Sequence, residues 1–250
     1  MTETCLLCKL AGRLSRVSEW YSSYISGIIK GMKIVVLAGG PAASFETYIA
    51  KCGDRSHTYF VGVDRGAYRL MQAGFPVNLA IGDFDSLKSE EFEAVSAYAD
   101  ELHQSPAEKD DTDLELAMLT VAARFKKIDE IFILGGIGGR FDHGIQIFYL
   151  VLQKRFAELV EKIWLIDNQN VIQFVGPGRH EVVKETSMTY LAFASLTPVS
   201  NFLIKNAKYE LDRTDFDRNF SLSSNEFIDE QPVTISFTAG IVSIIQSKDL

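Results

Sequence analysis

The chain has 250 residues, of which 47% are hydrophobic and 23% are charged, and its formal net charge is −8. This is the composition of an ordinary globular protein, long enough for one large domain or two modest ones. The negative charge disfavours duplex DNA and anionic membranes as partners, and no apolar run approaches the roughly 20 residues that cross a bilayer. Its three cysteines favour a reducing compartment, so we predict a cytoplasmic protein.

The first 31 residues differ from the rest of the chain. They carry four basic and two acidic residues, hence a net charge of +2, which leaves −10 for the remainder. The segment lacks the basic start, continuous apolar middle and cleavage site of a secretory signal. Met32 immediately precedes a strong predicted strand. We therefore hypothesise that Met32 is the functional start and that residues 1–31 are an extension that the activity does not need.

From Met32 onward, short apolar strands alternate with helical stretches. The predicted strands of this part are 34–38, 59–63, 79–81, 101–104, 131–134 and 163–166. The predicted helices are 45–51, 67–73, 90–99, 112–126 and 142–156. Continuous Val, Ile and Leu strands separated by helices predict a Rossmann-like parallel sheet that is covered on both faces.

After residue 168 the pattern changes to short strands between turns, without helical periodicity. The predicted strands here are 171–174, 178–183, 190–193, 203–211, a short one at Ser221, 233–237 and 241–246, whereas 221–227 taken alone is typical of a polar loop. This pattern predicts an antiparallel β-module. We therefore expect an α/β domain at residues 32–168 and an all-β domain at residues 169–250.

Three clusters that contain acidic residues, at 82–86, 108–113 and 135–143, lie where predicted strands give way to loops. Carboxylates gathered at one edge of a sheet repel one another unless a cation neutralises them. Mg²⁺ prefers oxygen ligands, and glycines let a phosphate chain approach the backbone. Because parallel α/β sheets bind ligands at the carboxyl ends of their strands, these clusters indicate a metal–polyphosphate site.

In the first cluster, Asp83 and Asp85 are separated by one residue, so in an extended segment they point the same way and bracket one cation. The alternative is a solvated turn in which Ser86 caps the next helix. Asp64 ends another predicted strand at the same sheet edge, so it is either a further contributor to the site or the salt-bridge partner of Arg65 or Arg69.

The second cluster holds four acids and a lysine within residues 108–113. A structural interpretation makes Thr112 or Asp111 the N-cap of the following helix, with Glu115 completing a capping box. Capping accounts for Thr112 and one or two acids, but it does not account for the whole cluster. Lys109 among metal-binding acids is what a triphosphate site requires.

The third cluster, at residues 135–143, is rich in glycine, follows a strand and precedes a helix. Backbone N–H groups and a helix N-terminus hold phosphate in this context. The segment matches neither the Walker A pattern nor the dinucleotide-binding fingerprint. Arg140 is suited to bidentate contacts with phosphate, Asp142 either binds metal or caps the helix, and His143 at a helix start is more often a structural donor. No G-x-S-x-G elbow occurs, which disfavours acyl transfer.

Together these motifs resemble those of the thiamine pyrophosphokinase (thiamine diphosphokinase) family over nearly the whole chain from Met32. The matching segments are VDRGA at 63–67, GDFDS at 82–86, KDDTD at 109–113, GRFDH at 139–143, LIKNAKYEL at 203–211 and SNEF at 224–227. The resemblance implies an α/β catalytic domain followed by a β-sandwich. It further implies a homodimer that binds thiamine in a cleft shared between subunits, and transfer of a pyrophosphoryl group from ATP to the thiamine hydroxyl with release of AMP.

The resemblance also implies residue roles, carried over by position. Catalysis and Mg²⁺ binding fall to Asp83, Asp85 and Asp113, with Asp64 beside them. The nucleotide site is lined by Lys109, Asp110, Arg140, Asp142 and His143. Thiamine contacts fall to Tyr209, Ser224 and Asn225. The chain departs from the family pattern at 206–208, where many members have a glycine, and at Ser223, where a glycine or apolar residue is usual.

Two other functions use the same residues. The first is a Mg²⁺-dependent phosphohydrolase, or another diphosphokinase, that acts on a different acceptor. The second is a thiamine or nucleotide sensor without turnover, although a sensor has less need of a phosphate clamp beside the metal. A triphosphate carries close to four negative charges, and attack at its β-phosphorus requires them to be neutralised and the hydroxyl held in line. The acidic clusters, Lys109 and Arg140 match that requirement.

Overall fold

The chain folds as alternating strands and helices in its first part and as strands alone in its second part. The computed structural model describes residues 31–42, 45–51, 55–106 and 108–249, so the predictions for residues 1–30 lie outside the described residues. The strands are β1 Met32–Leu37, β2 Thr58–Val63, β3 Leu79–Gly82, β4 Leu102–Gln104, β5 Ile128–Leu134, β6 Ile163–Ile166, β7 Asn170–Val175, β8 Gly178–Val182, β9 Tyr190–Ser195, β10 Val199–Lys205, β11 Leu211–Phe216, β12 Ser221–Asn225, β13 Val233–Phe237 and β14 Val242–Ser247. The α-helices are α1 Phe45–Lys51, α2 Arg65–Gln72, α3 Ser89–Tyr98, α4 Asp113–Arg124 and α5 Phe141–Tyr149, and short 3₁₀ segments occupy Arg55–His57, Leu150–Leu152 and Lys154–Lys162.

The first six strands form a parallel sheet in the order β6-β5-β1-β2-β3-β4, which confirms the predicted Rossmann-like arrangement. The chain moves outward from β1 to β4 and then returns to the other side of β1 with β5. This reversal opens a crevice between the carboxyl ends of β1 and β5. Ligands of α/β proteins bind in such crevices.

The parallel sheet is covered on both faces, as its apolar strands predict. In β1, the buried side chains of Ile34 and Val36 lie in one hydrophobic cluster together with residues of α4. Val35 and Leu37 lie in a second cluster together with residues of α1, α2 and α3. Each fully buried aliphatic side chain contributes about 1.5–3 kcal/mol. The loops that leave the carboxyl edge therefore start from a firmly packed scaffold.

The second part of the chain extends this sheet and adds another. Strand β7 pairs antiparallel with β6, and β14, β9 and β12 follow, so that the large sheet has ten strands. A separate antiparallel sheet has the order β11-β10-β13-β8. A third hydrophobic cluster, which includes Phe193, Phe202 and Ile235, draws on strands of both sheets. The β-module is therefore a sandwich, and one of its layers continues the parallel sheet.

The predicted division of the chain near residue 168 falls in the turn between β6 and β7. Here the Asp167 carboxylate accepts hydrogen bonds from the backbone N–H groups of Gln169, at 2.8 Å, and Asn170, at 2.7 Å. The hydrogen-bonded sheet continues across this turn. The domain division at this position stays a prediction. No helix among the described residues is long and apolar enough to cross a membrane.

Three predicted elements are wrong in extent. The α-helix predicted at 142–156 ends at Tyr149 and gives way to a 3₁₀ segment, which ends in turn at Gln153, where the backbone is extended and the side chain bonds to buried Glu115. The strand predicted at 203–211 is divided by Asn206, where a φ of 65° turns the chain. Asparagine adopts such a positive φ more readily than most residues other than glycine. The segment 221–227, typical of a loop when taken alone, contains β12, which pairs with β9.

Candidate active site

A cleft of about 750 Å³ lies at the carboxyl ends of the parallel strands, and all three acidic clusters line it. The predicted site residues that line it are Asp64, Asp83, Asp85, Lys109, Asp110, Asp113, Arg140 and His143. Asp142 and the predicted thiamine residues are not among the lining residues. The order of the strands therefore brings together segments that are far apart in the sequence.

Three carboxylates meet in this cleft. Oxygen atoms of Asp64, Asp83 and Asp113 all lie within 4.8 Å of one another. The three residues come from different elements, since Asp64 follows β2, Asp83 follows β3 and Asp113 is the first residue of α4. An all-oxygen, all-carboxylate donor set fits Mg²⁺, a hard cation that is usually held by a few carboxylates together with substrate phosphates.

This group differs at one position from the predicted metal ligands, because the structure places Asp64 where we expected Asp85. Phe84 has a φ of 59° and is buried, so the segment turns between Asp83 and Asp85 and does not remain extended. The Asp85 N–H donates to Asp83 Oδ1 at 3.1 Å, and the Asp85 side chain lies outside the three-carboxylate group. The ligand roles of all four aspartates stay predictions.

The carboxylates of the cleft repel one another. Burial, followed by the charge of Asp113, raises the pKa of Asp64 to about 6, and the charges of Asp83 and Asp85 act in the same direction. A hydrogen bond from the Phe84 N–H, at 3.3 Å, opposes this rise. A divalent cation would displace the proton of Asp64 and remove the repulsion.

Lys109 and Ser105 both contact the carboxylate of Asp113. The Lys109 Nζ atom lies 3.0 Å from Asp113 Oδ1, and only 15% of each side chain is exposed. The Ser105 hydroxyl donates to the same oxygen at 2.7 Å. At the start of α4, Thr112 is the N-cap and forms the predicted capping box with Glu115. These contacts hold Asp113 at the helix N-terminus, where its charge is also favoured by the helix dipole.

Two glycine turns face each other at the crevice between β1 and β5. The Gly40 N–H donates to the Gly135 carbonyl oxygen at 3.0 Å, and a Cβ atom at Gly40 would lie only 2.4 Å from that oxygen. Gly135 has a φ of 68°, which favours glycine. The pairing of the two turns makes both of them part of the lining of the cleft.

Arg69 supports the cleft, a role that the sequence pattern does not predict. Its guanidinium donates to the carbonyl oxygens of Gly40 and Ala42, at 2.7 Å each, and lies 5.2 Å from the centre of the Phe45 ring. It therefore holds the first glycine turn in place. Arg69 lies on α2, distant in sequence from the turn, and no local pattern marks it.

Arg140 and Asp142 form an ion pair with each other. Arg140 Nη2 lies 2.6 Å from Asp142 Oδ2, and their side chains are 70% and 64% exposed. Asp142 lies within the first turn of α5 and Arg140 is at the N-cap, so the alternative that Asp142 caps this helix is wrong. The guanidinium of Arg140 is open to solvent and lines the cleft.

The predicted thiamine residues lie together on the β-sandwich. The buried Asn225 side chain accepts from the N–H of Tyr209 at 2.9 Å and donates to its carbonyl oxygen at 2.8 Å. It also accepts from the N–H of Glu226 at 2.9 Å. Tyr209 is 59% exposed, and Ser224 is exposed with a φ of 61°. In this arrangement Asn225 fixes the backbone that presents Tyr209, and the thiamine contacts of all three residues stay predictions.

Comparison with known proteins decides the family. Two family models match the chain, the thiamin pyrophosphokinase catalytic domain at residues 54–161 and the thiamin pyrophosphokinase vitamin B1 binding domain at residues 179–242. A thiamine pyrophosphokinase of Bacillus subtilis (strain 168) is 35% identical over 221 residues, which are 86% of this chain and 99% of that protein. The chain belongs to the thiamine pyrophosphokinase family.

Solved structures of thiamine pyrophosphokinases have the same architecture. A thiamin pyrophosphokinase family protein from Enterococcus faecalis is 40% identical and has a TM-score of 0.78, and the match covers 87% of this chain and all of that one. The Bacillus subtilis thiamine pyrophosphokinase structure is 32% identical, with a TM-score of 0.72. The enzyme from Candida albicans, at 15% identity and a TM-score of 0.70, shares the fold. As a thiamine pyrophosphokinase, the protein is a transferase, specifically a kinase, with a thiamine-binding module.

Proposed function

We propose that the protein transfers a diphosphoryl group from ATP to the hydroxyl of thiamine, which yields thiamine diphosphate and AMP. The observation that carries this proposal is the group of Asp64, Asp83 and Asp113, with their carboxylates within 4.8 Å of one another. The group opens into the same cleft as two backbone turns rich in glycine. A polyphosphate requires both features, since a cation neutralises its charge and backbone N–H groups approach its oxygens.

In this proposal, Asp64, Asp83 and Asp113 hold Mg²⁺, which supplies positive charge to the phosphate oxygens when it is bound. Lys109 and Arg140 contact phosphate oxygens, with Asp110, Asp142 and His143 around the nucleotide. The thiamine hydroxyl oxygen forms a bond to the β-phosphorus, and the bond from that phosphorus to the α–β bridging oxygen breaks. AMP leaves with the bridging oxygen. A cleft carboxylate accepts the hydroxyl proton late in the step.

The test is a coupled AMP-release assay with ATP, Mg²⁺ and thiamine, in which mass spectrometry identifies the product. AMP that depends on thiamine, together with thiamine diphosphate, is the expected result. Release of ADP or free phosphate would instead indicate another phosphotransfer enzyme, and binding without product would indicate a sensor. Pyrimidine and thiazole fragments, each tested alone, serve as acceptor controls, and only the fragment that carries the hydroxyl is expected to give any AMP.

We also propose a homodimer that binds thiamine between subunits. The support for it is that Tyr209, Ser224 and Asn225 do not line the acidic cleft of their own chain. Mixing two inactive variants tests the proposal, with Asp113→Asn in one chain and Tyr209→Ala in the other. A shared cleft predicts that mixing restores part of the activity, because some mixed dimers contain one intact site. Activity that stays at the level of the separate variants would contradict it.

We also propose that the enzyme lies in the cytoplasm, because the chain has only three cysteines, an odd number, which favours a reducing compartment.

A further inference from the structure

The Glu115 carboxylate has more hydrogen-bond donors than a capping box provides. It is 5% exposed, and it accepts from the N–H and the hydroxyl of Thr112, both at 2.9 Å. It also accepts from the side-chain amides of Gln146, at 3.2 Å, and Gln153, at 2.5 Å, and Arg155 Nη2 lies 3.1 Å away. Burial by itself would raise the pKa of Glu115, but these partners hold the pKa below its ordinary value. The carboxylate is therefore a fixed negative charge that joins three segments of the chain.

Arg155 bridges this buried charge and the acidic segment of the cleft. Its Nη2 atom lies 2.7 Å from Asp111 Oδ1 as well as 3.1 Å from Glu115 Oε1. Its Nε atom donates to the side-chain oxygen of Gln153 at 2.7 Å, and its guanidinium lies 5.1 Å from the centre of the Phe156 ring. A planar guanidinium held at several points is a rigid spacer, and lysine does not reproduce this geometry.

Two members of this network, Asp111 and Gln146, line the cleft. Asp111 lines the cleft and lies two residues before Asp113, in the segment that precedes α4. Gln146 also lines the cleft, but it belongs to α5, which is separated from the glycine turn at 135–139 by Arg140 alone. Arg155 itself is not among the lining residues. The network thus joins the acidic segment before α4 to the helix that follows the glycine turn, through Arg155 and Glu115, which do not line the cleft.

We propose that Arg155 is a positioning residue which, through Asp111 and Glu115, sets the place of the acidic segment relative to the glycine turn. The proposal rests on the proposed function for its catalytic consequence. Asp111 held by Arg155 keeps the backbone before α4 in one conformation, and Asp113 follows within that backbone. Loss of Arg155 leaves Asp111 without this partner and leaves the buried charge of Glu115 without its cation.

Arg155→Met and Arg155→Lys test the proposal, with Arg124→Met as the matched control. Arg124 also forms an arginine–glutamate pair, 2.6 Å from Glu101, and its side chain is 33% exposed against 35% for Arg155. It lies at the far end of α4 from Asp113. We expect Arg155→Met to lower kcat/KM for ATP about 10- to 100-fold, because a distant mutation that misplaces a reacting group by about 1 Å costs up to about 100-fold. Arg155→Lys should recover part of the loss, and Arg124→Met should stay close to the wild type.

A double-mutant cycle identifies the path of the effect. If Arg155 acts through Asp111, Arg155→Met should have little further effect on kcat/KM in an Asp111→Asn background. Additive losses at the two positions would overturn this part of the proposal.

A second readout does not depend on turnover. Binding of Mn²⁺ alone, measured by electron paramagnetic resonance, should weaken several-fold in Arg155→Met and not in Arg124→Met. A lower Tm in Arg155→Met with unchanged Mn²⁺ affinity and unchanged kcat/KM would show a merely structural role and overturn the proposal. If Arg155→Met does not fold, Arg155→Lys is judged by the same criteria. A wild-type protein that makes no thiamine diphosphate would refute the proposed function, while the Mn²⁺ measurement would still decide the positioning role.

Discussion

The Asp64 carboxylate lies directly against the backbone of Gly82, where a Cβ atom would fall 1.9 Å from Asp64 Oδ1. Gly82 is the last residue of β3, and Asp64 follows the neighbouring strand β2. The absence of a side chain at position 82 therefore provides the space in which Asp64 approaches Asp83. A glycine that looks like part of a solvated turn in the sequence is a steric requirement of the carboxylate group.

Gly82→Ala should disrupt the three-carboxylate group. The new methyl group displaces the Asp64 carboxylate, and the φ of 151° at this position adds backbone strain. We expect activity to fall at least about 10²-fold and stability to fall by about 1–3 kcal/mol. The measurements are the AMP-release assay and chemical denaturation. Gly74→Ala is the control, because Gly74 also has a positive φ, 71°, but a Cβ atom there meets nothing within 4 Å. If the two variants lose activity equally, the steric explanation is wrong.

Single aspartate-to-asparagine substitutions should separate Asp64 from Asp85. Asp83→Asn and Asp113→Asn should each lower turnover by several orders of magnitude and leave the fold intact. Asp64→Asn should lower turnover about 10²–10³-fold, as expected for one member of a preorganised electrostatic group. Asp85→Asn should lower turnover no more than about tenfold, which is roughly 1.4 kcal/mol of activation free energy. The reason is that the Asp85 side chain lies outside the three-carboxylate group. Steady-state kinetics at saturating Mg²⁺ checks this order, and a larger loss for Asp85→Asn than for Asp64→Asn would reverse our assignment.

The stability of the metal-free protein should depend on pH through Asp64. The pKa of Asp64 is about 6 in the folded chain, against an ordinary value of 3.8, so the folded state holds this proton more tightly than the unfolded state. Its stabilising contribution is therefore complete below about pH 4 and is lost as the pH rises through about 6. The Tm of the wild type, measured without divalent cations, should fall relative to that of Asp64→Asn over this range. A constant difference would contradict the raised pKa.

Over the same pH range, stabilisation by Mg²⁺ should increase. A cation that binds the carboxylate group must displace the proton from Asp64, so its apparent affinity rises with pH until the proton is lost. The measurement is the Mg²⁺-induced shift in Tm at a series of pH values. In Asp64→Asn this shift should be smaller and should not increase near pH 6.

Arg140→Met should weaken nucleotide binding without lowering stability. The Arg140–Asp142 pair is exposed, and such pairs contribute about 0–1 kcal/mol to folding. The Arg140 guanidinium is open to solvent and lines the cleft, where phosphate would exchange for Asp142 as its partner, so we expect KM for ATP to rise about tenfold or more with Tm unchanged. Lys184→Met removes another exposed pair, 2.6 Å from Glu230, and should change neither value because Lys184 does not line the cleft. An unchanged KM for ATP in Arg140→Met would remove Arg140 from the nucleotide site.

Local patterns predicted the features that depend on neighbouring residues. The capping box of Thr112 and Glu115 needs only four consecutive residues, and it was predicted correctly. The parallel sheet followed from continuous apolar strands that alternate with helices. The placement of the acidic clusters at one sheet edge followed in turn, because all the parallel strands end there.

Patterns failed where a distant contact overrides local preference. The apolar spacing of 142–156 fits a single helix, but the side chain of Gln153 bonds to Glu115, which lies 38 residues earlier. Likewise, Asp83 and Asp85 share a face only if the chain stays extended, and the burial of Phe84 at a positive φ prevents this. The roles of Arg69 and Arg155 were missed because their partners lie on other elements.

The sequence by itself determined the family, the alternation of strands and helices, and the kinds of chemistry that the acidic and glycine-rich segments can perform. Short-range hydrogen bonding and hydrophobic periodicity depend on residues that are close in the sequence, so these features can be predicted from the sequence alone. Only the tertiary structure decided which carboxylates meet, how the two glycine turns pair and what holds the acidic segment from outside the cleft. The reason is that strand order and burial bring Asp64, Asp83 and Asp113 to one point, and their mutual distances depend on packing across the whole sheet.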